Sequence, residues 1–249
     1  MDVRMKGEEA RMNRLSVVKG AVRKEATAVI LAGGRSVRMG RDKITLQIGG
    51  VPVICKLALT LASLCEEVII VISADRKMEQ IRLLPDSLEA VPGLRLVHDR
   101  QSRTGPLAGI HAGMTAARFR HCLVTACDIP FPSRKLASGL LAETKDTVMP
   151  VVAPQAEEGL HPLFAVYNRG CLPLLEKFIA NGERSALEFI LEAGVRTLPP
   201  ERVRELDRTG MGLFDINRPI DYMAAQNYAA GQLAAGAGQR VRRMSERRG

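Results

Sequence analysis

The 249-residue sequence predicts an α/β fold in which a mainly parallel sheet carries helices on both faces. Two observations lead to it. From residue 27 onward, short apolar runs alternate with longer stretches of helical character, and such an alternation closes into parallel strands joined by crossovers. The runs themselves are almost wholly apolar, as strands covered on both faces must be. No internal repeat and no Pro- or Ser-rich linker interrupts the interior, so a single domain over residues 26–230 is the simplest organisation.

The elements follow in order along the chain. TAVILA (27–32) is a buried strand run. PVICKLALTLASL (52–64) reads as helix, with Pro52 near its first turn. EVIIVIS (67–73) is rich in β-branched residues and reads as the second strand. RKMEQIRLL (76–84) is helical and stops at Pro85. LRLVHD (94–99) is a short third strand. GPLAGIHAGMTAARF (105–119) opens with Gly-Pro and continues as helix. HCLVTACDIP (121–130) is a fourth strand that ends on an acid. PSRKLASGLLAET (132–144) is helix, DTVMPVV (146–152) strand, and HPLFAVYNR (161–169) a further strand. Helices follow near 170–181 and 185–193. GLFDINRPIDYMAAQ (212–226) supplies a short strand, a turn and a closing helix.

Composition narrows the classes. Hydrophobic residues make up 46%, enough for a sizeable core, and no apolar run approaches the roughly 20 residues that cross a bilayer, so no membrane partner is expected. The first twenty residues mix Asp and Glu with bases and have no apolar centre, unlike a secretory signal. Cys55, Cys65, Cys122, Cys127 and Cys171 form no CxxC pair and lie mostly in apolar segments, which suits reduced core thiols and a cytoplasmic location. The net charge is +9, of which residues 1–25 carry +3 and residues 232–249 carry +4. The basicity therefore sits mainly in a flexible N-terminal extension (1–25) and a disordered C-terminal tail (231–249). Neither interleaves aromatics for base stacking, which argues against nucleic acid as the partner.

The loop after the first strand carries the chemistry. LAGGRSVRMGRDK (31–43) leaves a buried strand through two glycines and then crowds Arg35, Arg38, Arg41 and Lys43 into nine positions. Ligands of open α/β sheets bind beyond the carboxyl ends of the strands. Gly33 and Gly34 can take φ > 0 and let backbone N–H groups approach an anion. Arg38 can chelate phosphate oxygens, and Lys43 adds a compact charge. Two familiar phosphate loops are absent: Gly40 is followed by Arg41 and Asp42, which breaks a Walker A motif, and there is no GxGxxG. Asp99 and Asp128 each end a strand run, where an acid serves either as a turn cap or as a ligand group. Gly105 and Gly109 at the start of GPLAGI serve either a helix N-terminus that favours an anion or tight helix–sheet packing. His98, His111, His121 and His161 show no metal spacing.

The spacing LAGG-x-S-x-RMG-x-DK resembles the signature of the molybdenum cofactor guanylyltransferase family. HDRQSRTGPLAGIHAG (98–113), VTACDIPF (124–131), HPLFAVY (161–167) and FDINRPID (214–221) follow in that family's order, so the resemblance covers about residues 26–228. It implies a Rossmann-like, mixed but mainly parallel sheet of the nucleotide-diphospho-sugar transferase-like fold. It implies transfer of GMP from GTP to the phosphate of molybdopterin, or Mo-molybdopterin, with release of pyrophosphate and with Mg²⁺ as cofactor. Cofactor-delivery and molybdoenzyme chaperone proteins are further partners it suggests. Carried over residue by residue, it implies catalytic roles for Arg38, Lys43 and Asp128, nucleotide contacts from Leu31, Ala32, Gly33, Gly34, Lys43, Asp99 and Asp128, and metal binding by Asp128. Asp215 and Asn217 fall in the acceptor-binding run, where the family has Asn-x-Asn-Thr-Pro; here Asp215 replaces the first Asn and Arg218 the Thr.

The resemblance leaves nearby alternatives. Cytidylyl members acting on molybdopterin tend to read LAAG, and a missing Cβ at Gly33 leaves room for a purine. Other sugar- or alcohol-phosphate nucleotidyltransferases share the fold. A non-catalytic nucleotide-binding regulator would not need Lys43, Asp99 and Asp128 together.

Overall fold

The computed structural model describes residues 23–33, 42–73, 86–99 and 105–246. The predicted helix at 76–84 lies outside them. Ten strands are present among the described residues: β1 (Lys24–Leu31), β2 (Gln47–Ile48), β3 (Val51–Pro52), β4 (Cys65–Ile72), β5 (Leu94–His98), β6 (His121–Ala126), β7 (Val151–Ala156), β8 (Gly159–Leu160), β9 (Phe164–Asn168) and β10 (Val195–Leu198). The helices are α1 (Val53–Ala62), α2 (Pro106–Ala116), α3 (Arg134–Glu143), α4 (Leu172–Ala180), α5 (Ala186–Ala193), α6 (Pro200–Leu206) and α7 (Pro219–Glu246).

The main sheet runs β10-β7-β9-β6-β1-β4-β5, with β8 pairing on β7. Every pair along it is parallel except those of β9, which runs antiparallel to both β6 and β7. The sheet is therefore mixed but mainly parallel. β1 lies inside it between β6 and β4, with six matched pairs to β6 from Ala26↔His121 to Leu31↔Ala126. Its residues divide between two cores. Ala28 and Ile30 face the side covered by α1, α3 and α6, whereas Val29 and Leu31 face α2, α4 and α5. Burial on both faces is why the run from Ala28 to Ala32 is apolar at every position.

Helix α2 lies unusually close to β1. A Cβ added at Gly113 would come within 2.3 Å of Val29 Cγ1, and one at Gly109 within 3.1 Å of Leu31 Cδ2. Gly109 is thus a packing glycine, and of the two sequence readings the packing one describes it.

Several segments depart from the sequence expectation. The strand expected at 146–152 begins only at Val151. The short strand expected within 212–226 forms no ladder; residues 212–218 lead into α7 without forming a strand. The hairpin β2–β3, β10 and α6 were not anticipated. At the ends, Lys24 already pairs with Cys65 in β1, and α7 continues past residue 230 to Glu246.

A third, smaller core joins the hairpin to the C-terminal segment. Leu46, Ile48 and Val53 pack with Ile216 and Ala225. The hairpin turns on Gly49 (φ 58°) and Gly50 (φ 75°), both left-handed, as a two-residue turn between twisted strands requires. Helix α7 then binds the hairpin edge: Tyr222 Oη and Gln226 Nε2 both donate to the Gln47 carbonyl, at 3.0 and 2.9 Å.

All five cysteines are free and buried. Burial pushes the Cys65 and Cys122 thiols up to about 12, so both stay protonated and unreactive. No helix among the described residues is long and apolar enough to cross a membrane.

Candidate functional site

The strand order reverses at β1, since β4 and β6 flank it on opposite sides and their outgoing connections diverge. A crevice beyond the carboxyl end of β1 follows from that topology. The chain just past β1 is held on both sides: Ala32 N–H donates to the Val71 carbonyl (2.8 Å), and Cys127 N–H donates to the Leu31 carbonyl (3.1 Å). Leu31 and Ala32 are both buried.

On one side of this end stands Asp128, two residues past β6 and 5% exposed. Lys43 Nζ donates to its Oδ2. Its Oδ1 is buried and has no hydrogen-bond partner. A carboxylate oxygen withdrawn from water and left unpaired costs free energy that a cation would recover. Lys43 is presented by a single 3₁₀ turn, Lys43–Thr45. Asp42 caps that turn by accepting from Ile44 N–H at 3.1 Å, while Ile44 itself is fully buried as its anchor.

The extended segment before α7 closes the same side. Ile216 N–H donates to the Asp128 carbonyl (3.1 Å), and the Ile216 side chain is fully buried in the third core. Asn217 Oδ1 accepts from Lys43 Nζ at 3.1 Å, and Asn217 Nδ2 donates to Asp215 Oδ2 at 2.8 Å. Lys43, Asp128, Asn217 and Asp215 therefore form one connected polar chain.

On the other side of β1 stands Asp99, 8% exposed, its N–H donating to the Ile72 carbonyl (2.9 Å). A Cβ added at Gly33 would lie 3.8 Å from Asp99 Oδ2 and 3.6 Å from Ser73 Cβ. Gly33 thus faces the Asp99 carboxylate. Its φ is not in the left-handed region, and an alanine there would make ordinary contacts. What the glycine provides is the room of one missing Cβ beside a buried acid. Gly34 and Arg38 lie outside the described residues. Two of the histidines pair with glutamates elsewhere: His111 meets Glu176 (3.2 Å) and His161 meets Glu158 (3.0 Å).

A family model described as MobA-like NTP transferase domain matches residues 28–197. That stretch contains β1, Lys43, Asp99 and Asp128. The chain belongs to the MobA-like NTP transferase family.

Among relatives in this family, a probable molybdenum cofactor guanylyltransferase of Pelotomaculum thermopropionicum is 36% identical over 202 residues, 81% of this chain and 92% of that protein. A molybdenum cofactor guanylyltransferase of Pseudomonas putida is 36% identical over 71% of this chain and 87% of its own length. The protein is accordingly a nucleotidyltransferase. Solved structures agree in fold. Molybdopterin-guanine dinucleotide biosynthesis protein A from Archaeoglobus fulgidus superposes with a TM-score of 0.69 at 24% identity, over 82% of this chain and 99% of that one. 4-diphosphocytidyl-2C-methyl-D-erythritol synthase from Anaerococcus prevotii superposes with a TM-score of 0.61 at 16% identity, over 86% of this chain and 98% of that one.

Three contributors in this MobA-like nucleotidyltransferase were missed in the sequence. Asp42 caps the turn that presents Lys43, and the motif Asp-Lys-Ile-Thr carries that signal as an acid directly before a short turn. Ser73 faces Gly33 from the end of β4. Asp221 fixes the start of α7 by accepting from Asn217 N–H (3.0 Å) and Arg218 N–H (2.7 Å), a reach-back visible as an acid three residues past Arg218.

Proposed function

We propose that this chain transfers GMP from GTP to the phosphate of molybdopterin or Mo-molybdopterin, forming the guanine dinucleotide and releasing pyrophosphate. The observation that carries the reading is the Lys43–Asp128 pair at the end of β1, with one carboxylate oxygen buried and unpartnered. In the reaction an oxygen of the acceptor phosphate attacks the α-phosphorus of GTP. A new P–O bond forms as the bond from the α-phosphorus to the bridging oxygen breaks, and the electron pair leaves on pyrophosphate.

Each residue's task follows from its chemistry. Lys43, with Arg38 beside it in sequence, holds the triphosphate and stabilises charge gathering on the leaving pyrophosphate. The backbone of Leu31, Ala32 and Gly33, followed in sequence by Gly34, would line the approach of the nucleoside. Asp99 reads the base: a carboxylate only accepts hydrogen bonds, and guanine offers N1–H and an exocyclic NH₂ side by side. Gly33 leaves that carboxylate approachable. Asn217 meets Lys43 and Asp215 meets Asn217, which sets both beside the phosphate contact.

The donor set also suits Mg²⁺. Hard carboxylate oxygen is its preferred ligand, Asp128 Oδ1 is unpaired, and no cluster of three or more His, Cys, Asp or Glu gathers among the described residues. A site with few protein carboxylates completed by phosphate oxygens and water is the usual form for Mg²⁺. Asp128 would hold the ion, which when bound polarises the reacting phosphoryl group and neutralises its charge. The test is turnover with GTP, CTP or ATP and molybdopterin, following pyrophosphate. Guanylyl transfer with GTP preferred supports the reading, and CTP preferred over GTP overturns it.

A further inference from the structure

Asp215 ends the polar chain described above. The two ends of that chain fix its direction. Lys43 can only donate and the Asp215 carboxylate can only accept, so the Asn217 amide between them has one orientation that satisfies both: NH₂ toward Asp215 (2.8 Å), oxygen toward Lys43 (3.1 Å). An apolar residue at 215 leaves the amide without that constraint. Turned over, it would set NH₂ against ammonium, donor against donor. The backbone around it is already fixed through Ile216 N–H on the Asp128 carbonyl and through Asp221 on two further N–H groups. The amide orientation is the remaining freedom: Lys43 and Asp215 hold it from its two ends, and without Asp215 only the Lys43 contact is left to do so.

We propose that Asp215 is a positioning residue on the nucleotide side of the site: through Asn217 it holds Lys43 where the triphosphate binds. The inference rests on reading Lys43 as the phosphate contact. Lys43 has both Asp128 and Asn217 as partners. A divalent cation on Asp128 competes with the ammonium for the same negative charge. Asn217 Oδ1 is neutral, offers little to that cation, and keeps a tether on the lysine. Residue 215 then acts on the donor nucleotide through two side chains, rather than by touching the acceptor.

The experiment measures binding of GTP with Mg²⁺ to the full chain by calorimetry, without acceptor, and then acceptor KM in turnover. Asp215 is exposed, so Asp215→Ala should keep its Tm. It should weaken GTP about 3- to 10-fold, the range for one lost hydrogen bond. Asp215→Asn, whose oxygen can accept the same bond, should fall between it and wild type. In a Lys43→Ala background, Asp215→Ala should weaken GTP no further, and acceptor KM should be unchanged throughout. Unchanged GTP affinity with a raised acceptor KM overturns the proposal in favour of acceptor contact. Additive losses in the double variant overturn it as well. If Lys43→Ala alone binds GTP as wild type does, the phosphate reading of Lys43 falls, and the positioning with it.

Discussion

Replacing Asp128 by asparagine separates a metal-binding role from a capping one. The substitution keeps shape and volume, and the Asp128 backbone bond from Ile216 is untouched. Only the side-chain charge changes. The new amide would turn its oxygen to Lys43, which demands an acceptor, and so place its NH₂ where Oδ1 of Asp128 now lies buried and unpartnered. That puts a donor in the one position a cation needs. Stability should change little, because the orphaned oxygen contributes no hydrogen bond to the folded state; a Tm shift within about 4 °C corresponds to about 1 kcal/mol or somewhat more for a chain of this size. Catalysis should suffer far more. Metal neutralisation of a reacting phosphoryl group supplies several kcal/mol, and each 1.4 kcal/mol or so is tenfold in rate, so a loss of about 10²- to 10³-fold is expected. The assay is pyrophosphate release titrated with Mg²⁺, beside GTP binding. The defect should appear in turnover and in the Mg²⁺ concentration required. Near-normal rates and Mg²⁺ dependence with a lowered Tm would refute the metal assignment and leave Asp128 as a cap.

Gly33→Ala should fold normally, since its Cβ meets only ordinary contacts, yet lose GTP use more than CTP use because it stands before Asp99; equal losses, read from the ratio of kcat/KM values, would remove position 33 from base choice. Glu67 is fully buried, and burial raises its carboxyl pKa, but Arg118 N–H, Thr27, Arg95 and the Arg118 charge together bring it below the usual range. A lowered pKa stabilises the fold above the unfolded value near 4.3 and loses that contribution as pH falls through the folded value. Glu67→Gln removes the charge and, whichever way the amide turns, sets its NH₂ against a donor, the two guanidinium groups at Oε1 or the Arg118 N–H at Oε2; it should cost about 3 kcal/mol at neutral pH, with a shallower acid limb in denaturant melts. Removing residues 233–249 should leave a cooperatively folding, active protein, because the α7 contacts to the hairpin come from Tyr222, Ala225 and Gln226; loss of a single unfolding transition would contradict this.

The parts of the fold that were visible in the sequence are those set by local pattern. The apolar runs of β1, β4 and β6 must be buried on both faces, and the acids that end the runs of β5 and β6 fall at the carboxyl edge for the same reason. Periodicity carries no strand direction, so the reversal of β9 could be read only from the short 157–163 connection, too brief for a parallel crossover. β10 was hidden because Val195–Leu198 follows α5 after one glycine and is half exposed. Lys43 and Asp128 were singled out separately. Their pairing, and the link to Asn217 174 residues away, depend on how α7 folds back onto the hairpin, which no spacing records.

The reversed strand has a consequence for which parts of the molecule open together. Among the described residues, β9 is the sole link along the sheet between the β5-β4-β1-β6 half and the β7-β10 half. Its ladder to β6 has five matched pairs, but toward β7 only Val151↔Tyr167 and Val152↔Val166 are matched, with one more bond from Asn168 N–H to the Pro150 carbonyl. A seam that short lets one side loosen while the other stays closed. Amide hydrogen exchange should therefore be biphasic across the sheet. The amides of β1, β4 and β6, which hold the Asp128 edge, should exchange only with global unfolding, while those of β7 and β10 exchange sooner, through a partial opening that leaves the nucleotide half intact.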